Sequence, residues 1–474
     1  EVAEARYAPD GVTVLYRASW DGEPAQIYLS RTDTPDYQPL ALPRAALFSV
    51  SSTAELAIGL EPRDVGGFVT LHTLARVSMF GGVPRELARD VYSADWGPGG
   101  QSIAAIREVG GQYRIEYPLG KVIHEVPGWL SQVRVSPSGR RIAFFEHPIG
   151  GDNRGDLRII ELGGEARTLV SDLNGTSSLA WHPGEREVWY VAVAEEGQSF
   201  GIMYAAGLDG RSRPTYHTLG SLRLMDFNAH GEALVVRQNP RLRMQTGIRA
   251  GERRELSLFD WTLARDISRD GSQVLFDESG SGARNTITTY VRGTDGSPAV
   301  RIAAGAAMGF MPDGRHVLVV ERSSGLLAIY PLGVGEPHTV DTGSLTCHFA
   351  RPLPDGRSVA VIGNRPGEPV RLYRVEIASG SVTTIGEEPV AFSHVQVSPS
   401  GDQITVRQAD GTSAIVSAMD GARTVLPLEP DWRPAAWGAD DRTLFLYRRG
   451  AIPGGIQRLD LETGRREPWV TLEP

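Results

Sequence analysis

One four-residue turn recurs eleven times along this chain, and that recurrence narrows the possible folds more than any other feature. Seven copies are clear: Ala8-Pro9-Asp10-Gly11, Gly97-Pro98-Gly99-Gly100, Ser136-Pro137-Ser138-Gly139, Ser268-Arg269-Asp270-Gly271, Met311-Pro312-Asp313-Gly314, Leu353-Pro354-Asp355-Gly356 and Ser398-Pro399-Ser400-Gly401. Four are worn: Ser51 to Ala54, His182 to Glu185, Asn228 to Gly231 and Gly438 to Asp441. Proline two places before the last residue presets φ for the first central position of a turn, and Asp-Gly or Ser-Gly tolerates its tighter end. From Gly11 to Asp441 the last residues advance in ten steps of 39 to 46, averaging 43.

The stretch from Asp260 to Gly305 shows what lies between the turns. Leu263 to Ile267 leads into Ser268 to Gly271, and Gln273 to Asp277 returns. After a Gly/Ser-rich loop, Thr286 to Arg292 and Ala299 to Ala303 flank a second turn at Thr294 to Ser297. Each repeat is therefore a four-stranded antiparallel meander, and a period near 43 with four strands is one propeller blade. Return strands such as Ile142 to Phe145, Val317 to Val320 and Val359 to Ile362 are apolar at consecutive positions, as expected for a sheet covered on both faces by neighbouring blades. No window carries a capped amphipathic helix. The fold class is all-β, a β-propeller of about eleven four-stranded blades. Single propellers usually hold four to eight blades, so two tandem propellers are expected, 1–220 with blades 1 to 5 and 221–474 with blades 6 to 11. The break falls within 215–265, and a single large ring over 1–474 is the alternative.

Composition removes several function classes. The formal charge is -9 and no dense Lys/Arg block occurs, which argues against a nucleic-acid partner. No run approaches the roughly 18 apolar residues that span a bilayer, so no membrane insertion by this chain itself is expected. Cys347 is alone, which excludes an intrachain disulfide and a thiolate zinc site. Its neighbour His348 lies on the same strand and so points to the opposite face.

Catalytic signatures are sparse. Gly197-Gln198-Ser199-Phe200-Gly201 matches the nucleophile-elbow pattern, but it follows the strand Val188 to Val193 and precedes another strand-like run, whereas an elbow needs a helix after it. Ten histidines are scattered without ligand spacing, and His182, His230 and His316 lie in or beside turns. Asp10, Asp270, Asp313 and Asp355 recur by repeat, so they would spread around a ring rather than pair. No catalytic, cofactor-binding or metal residue is assigned, no cofactor is expected, and the ligand-binding residues are unknown. Better candidates for binding are departures from the repeat, since loops on rigid scaffolds carry function. These are the loop His147 to Asp156 with its Arg154-Gly155-Asp156 triplet, the cluster Arg237, Arg241, Arg243, Arg249, Arg253 and Arg254, and the aromatics Trp20, Trp129 and Trp432.

Pro-Asp-Gly followed by an apolar strand, a polar loop and an Ile-Tyr-like strand, as at Gln26-Ile27-Tyr28-Leu29 and Ala328-Ile329-Tyr330, resembles the TolB-type, WD40-like propeller repeat. Arg6 to Gly11, Ala18 to Gly22, Asp260 to Gly305 and Arg458 to Glu467 are also similar to the C-terminal propeller regions of acidobacterial-type membrane-bound serine/threonine protein kinases. That resemblance implies a bacterial extracytoplasmic sensor tethered through an upstream transmembrane helix. It implies no kinase activity here, because the glycine-rich loop, His-Arg-Asp and Asp-Phe-Gly motifs are missing from this sequence. The chain is accordingly expected to be a fragment, with a native ring count of twelve once one further partial unit is added. The functional expectation is a non-catalytic sensor that binds a small ligand or protein partner and passes the effect to a signalling domain. The alternative is an accessory gating or scaffold propeller of a hydrolase or translocation complex. An enzyme whose site is assembled from single residues on several blades ranks third.

Overall fold

The computed structural model describes all residues except 1, 21–23, 35, 41, 43, 67–68, 149–152, 194–200, 219, 239–240, 248–252, 280–286, 322–323, 392–394, 409, 430, 450–453 and 473–474. All eleven predicted turns join the innermost strand of a blade to its second strand. The last residue of each turn has positive φ: eight are glycines, and Ala54, Glu185 and Asp441 adopt the same left-handed conformation at φ 62, 53 and 54°. A left-handed conformation at the end of the turn is reached without steric cost only by glycine, which is why glycine dominates at this place.

The Asp260 to Gly305 unit folds as read, with strands Thr262–Ile267, Gln273–Glu278, Thr288–Gly293 and Val300–Ala304 pairing in that order. Among the described residues the only helical turn is the 3-10 segment Pro98–Gly100, itself one of the eleven turns. The chain is a multi-blade β-propeller protein, and it forms two compact units. The first runs to Asn239, apart from the short segments Val65–Gly67 and Glu196–Ser199, and the second runs from Pro240 to Pro474.

The first unit holds six blades. Blade 1 spans 2–39. Blades 2 and 3 share the long strand Arg85–Trp96, which is the outer strand of one and the innermost strand of the other; blades 4 and 5 share Ala166–Trp181 in the same way. The shared strands turn their corners through left-handed residues, Asp90 in the first and Asp172 with Gly175 in the second. Blade 6 departs from the expected four strands. Among the described residues it has two, Ser221–Phe227 and Ala233–Gln238. It nevertheless packs against blade 1, with Met225, Leu234 and Val236 meeting Ala5, Val14 and Tyr16. Contact between first and last blades makes this unit a closed ring of six. The boundary expected after residue 220 therefore lies at 239, because the sixth repeat is needed to close the first ring.

The second unit holds blades 7 (262–304), 8 (306–340), 9 (346–384), 10 (396–425) and 11 (432–472), each four-stranded. A small hairpin, Gln245–Thr246 with Arg254–Glu255, lies against blade 7 through Met244 and Leu256 on Val274 and Phe276. The consecutive apolar strands behave as their pattern dictates. Val359 and Val361 face the blade 8 side and Ala360 and Ile362 the blade 10 side, all four fully buried. At about 1.5–3 kcal/mol per buried aliphatic side chain, these inter-blade layers supply most of the stabilisation.

Candidate functional site

The innermost strands build a polar hub at one fixed place, five residues before the end of each turn. In the first unit that place holds Arg6, Ser49, Asp95, Arg134, Ala180 and Asp226 in chain order. The short acceptors reach forward to the next blade. Ser49 Oγ accepts the Trp96 N–H at 3.2 Å, Asp95 Oδ2 accepts the Val135 N–H at 2.8 Å, and Asp226 Oδ2 accepts the Tyr7 N–H at 3.0 Å. The last of these runs from blade 6 to blade 1, so the bond that links neighbours elsewhere also closes the ring. The arginines reach sideways to carbonyls one place earlier. Arg6 donates through Nε to Phe48 O of blade 2 at 2.8 Å and through Nη1 to Met225 O of blade 6 at 3.1 Å, and Arg134 Nε donates to Leu179 O at 3.3 Å.

Burial, together with Arg134, holds the Arg6 guanidinium down to about 9, partly offset by Asp226 and Asp95. Burial pushes the Asp226 carboxyl up despite the attraction of Arg6 and Arg134. Two cations and two carboxylates thus share the centre of this ring, each committed to backbone groups. Such an arrangement fixes blade geometry, since a buried charge without its partners is costly. The signal was present in the sequence, because aligning the repeats on the turn brings these residues into one column.

The turns form a second layer of contacts between blades. Asp10 and Asp270 cap their own turns, accepting N–H groups two or three residues on, which accounts for the recurring acids. The two Ser-Pro-Ser-Gly turns have no such acid, and in both cases the next blade supplies one. Glu185 accepts the backbone N–H and the hydroxyl of Ser138, and Asp441 Oδ1 accepts the Ser400 N–H at 2.9 Å. The worn turns at Glu185 and Asp441 are therefore complements to their neighbours.

The other candidates from the sequence fall as follows. Residues 197–200 of the elbow-like match, residues 149–152 of the long loop, Arg249 and His394 lie outside the described residues. The Arg154-Gly155-Asp156 triplet begins a strand: Arg154 O accepts from His147 Nδ1 at 2.9 Å, and Asp156 Oδ1 accepts the Asp172 N–H at 3.0 Å. It is fastened on both sides. Of the arginine cluster, Arg237 belongs to the first unit and Arg241, Arg243, Arg253 and Arg254 to the second. Cys347 is buried in the blade 8–9 layer, where burial pushes its thiol up to about 12. His348 bonds Asn364 Oδ1 at 2.7 Å. His316 Nδ1 pairs with Asp313 Oδ2 at 2.6 Å within a turn, and His182 stacks near Trp189 and Phe227. Trp129 is buried against His147 with ring centroids 4.3 Å apart, and Trp432 lies under Arg466. No group of three or more His, Cys, Asp or Glu suited to a metal ion occurs among the described residues.

Trp20 differs from Trp129 and Trp432. It is 47% exposed and joins a ladder of rings on the outer part of blade 1: Tyr16 stacks on Tyr28 at 5.6 Å, Trp20 meets Tyr28 edge-on at 6.4 Å, and Tyr28 meets Tyr37 edge-on at 5.7 Å. Tyr37 is 63% exposed. Tyr16 belongs to the layer between blades 1 and 6, and Tyr28 is its cross-strand partner, so the ladder continues on the side that faces blade 6. There blade 6 presents two described strands where its neighbours have four. Sequence reading missed this place because the sixth repeat is 40 residues long, which is ordinary for the series.

No protein-family model matches the sequence, and no curated protein does. Among solved structures the chain is similar to TolB from Acinetobacter baumannii, with 16% identity over 71% of this chain and 80% of that one, and a TM-score of 0.32. It is also similar to the tricorn protease, with 13% identity over 99% of this chain and a TM-score of 0.33. The chain spans 54% of the length of that protease structure. Likenesses this low carry no argument, and the fold rests on the strands and sheets described above.

Proposed function

We propose that this chain is a non-catalytic binding module whose partner docks on the outer face of blade 1 beside blade 6, as the extracytoplasmic sensor part of a signalling protein. The carrying observation is the ladder Tyr16, Tyr28, Tyr37 and Trp20, which leaves two large rings exposed on a sheet whose other face is packed against blade 2. Aromatic side chains give large contact area at low conformational cost, which is why they anchor interfaces. The ionisable groups described above support the same reading, since the hub and turn acids are committed to backbone hydrogen bonds that hold blades together. Among the described residues no helix is long and apolar enough to cross a membrane, so a membrane tether would belong to a neighbouring segment of a longer protein.

The docking reading is tested by placing a photo-crosslinking residue at Tyr37 and, as a control, at the exposed Val334 of the second unit, in the full-length protein in its host. A discrete crosslinked species from position 37 and none from 334 is expected; equal or no crosslinking at both would refute it. The signalling role is tested on the complete reading frame, where an upstream kinase domain and membrane helix are expected. A downstream hydrolase domain would overturn it.

A further inference from the structure

Blade 6 and its surroundings define what kind of partner fits, an argument that rests on the docking reading above. Its strand Ala233–Gln238 pairs with Ser221–Phe227 on one side, and among the described residues nothing pairs with its other side. The adjoining blades continue outward for two strands more: Gln26–Arg31 and Tyr37–Pro39 in blade 1, Ile202–Gly207 and Ser212–Tyr216 in blade 5. Strands lie about 4.8 Å apart, so the half-blade leaves a recess roughly 10 Å deep, floored by a row of backbone N–H and C=O groups. The exposure of Ala233–Gln238 alternates strictly between exposed and half-buried, as expected of a strand whose blade 1 face is covered and whose other face is open.

The two walls differ in chemistry. Leu234 and Val236 share the blade 1 side with Tyr16, and further out on that side stand Tyr28, Tyr37 and Trp20. Val235 and Arg237 are the cross-strand partners of Leu224 and Leu222, which pack with Met203 of blade 5, so they lie on the blade 5 side. Arg237 is exposed and has no ion-pair partner among the described residues.

We infer that this recess accepts an extended segment of a separate partner protein as an added β-strand along Ala233–Gln238, with apolar side chains toward the tyrosine ladder alternating with acidic ones toward Arg237. The open ladder selects a β-strand because only another extended backbone satisfies its row of donors and acceptors. A second copy of this chain does not fit, since its equivalent edge is equally recessed and two recessed edges cannot meet. Alternation follows from the pleat, which sends successive side chains of the added strand to opposite walls. An acid opposite Arg237 gains a cross-strand ion pair.

The test uses the 474-residue chain and a set of capped seven-residue peptides that alternate Val or Tyr with Glu, or with Lys, read by amide hydrogen exchange and fluorescence anisotropy. In the free protein the outward amides of 233–238 are expected to exchange faster than those of Ser221–Phe227. A Glu-series peptide should slow them, with the Lys series weaker by about fivefold, the upper end for one cross-strand charge pair. Arg237→Glu should invert that preference while leaving the melting temperature unchanged, and Tyr37→Ala should weaken both series. The inference fails if amides 233–238 are already slow in the free protein, if no peptide slows them, or if a peptide with a central proline binds equally well. Failure here with crosslinking intact at position 37 would leave the docking surface standing and remove only strand addition.

Discussion

The two units share a turn and differ at the hub. Five residues before the turn's end, the first unit places Arg6, Ser49, Asp95, Arg134, Ala180 and Asp226, whereas the second places Asp266, Gly309, Arg351, Gln396 and Ala436. The same bonds are drawn where the chemistry allows. Asp266 Oδ2 accepts the Phe310 N–H of the next blade at 2.9 Å, and Arg351 donates to Met308 O and Arg265 O of the two preceding blades. What differs is how much of the ring depends on them. In the first unit the forward link recurs at three blade junctions and includes the closing one, with blade 6 contributing only two described strands to hold blade 1. A half-blade closes that ring because its innermost strand carries the acid that the junction requires.

That comparison makes its strongest prediction at Asp226. Asp226→Ala removes the acceptor for the Tyr7 N–H and the carboxylate that most favours the Arg6 charge, which should cost about 2–4 kcal/mol. Hydrogen exchange should quicken in Val2–Tyr7 and Ser221–Phe227 and stay unchanged in Ala306–Phe310. Asp266→Ala in the second unit should cost only about 1 kcal/mol, because its side chain is 31% exposed and water can replace it. Equal costs at the two positions would mean that the closing bond has no special weight.

The turn-to-turn bonds between blades carry smaller energies. Glu185→Ala keeps a left-handed residue in place but loses both bonds to Ser138, and Asp441→Ala loses the bond to Ser400; each should destabilise by about 1 kcal/mol in denaturant titrations. Ala54→Gly should instead stabilise by about 0.5 kcal/mol. Relief of roughly 1–2 kcal/mol of left-handed strain exceeds the entropy that glycine adds to the unfolded chain.

Acid should affect both units through the same turns. The Ser268 hydroxyl and the Ser272 amide and hydroxyl hold the Asp270 carboxyl down to about 2, and Thr13 holds that of Asp10 below its usual range. A carboxyl whose folded value is depressed contributes stability above its unfolded value near 3.8 and loses it as pH falls through the folded value. Melting temperature should therefore decline between about pH 4 and pH 2, and Asp270→Asn should flatten part of that decline. The smallest effect concerns Cys347. With its thiol pushed up to about 12 by burial, alkylation by iodoacetamide at pH 8 should run at least about a hundredfold slower in the folded protein than in denaturant.

Much of this was legible in the sequence, for reasons that differ from place to place. Pro-Asp-Gly at Pro9 to Gly11 and Pro354 to Gly356 specifies a hairpin because φ and side-chain capping act within four residues. The unbroken run Val359 to Ile362 announces a strand covered on both faces, because the pleat sends alternate side chains to opposite sides. The worn turn at Glu185 read as decay, and its role became visible only against Ser138, 47 residues away. The aromatic ladder escaped notice because Tyr16, Tyr28 and Tyr37 lie on three different strands, and their common face is a matter of register.

The sequence by itself determined the repeat, its four-stranded plan, the positions of all eleven turns and the all-β class, since each depends on interactions a few residues apart. Tertiary structure alone decided that the sixth repeat closes the first ring, because the Asp226 to Tyr7 bond joins residues 219 positions apart. It also decided that this repeat has two strands among the described residues, with no described neighbour on its outer edge, since whether a strand has a second neighbour depends on where the chain goes next and not on its own side chains.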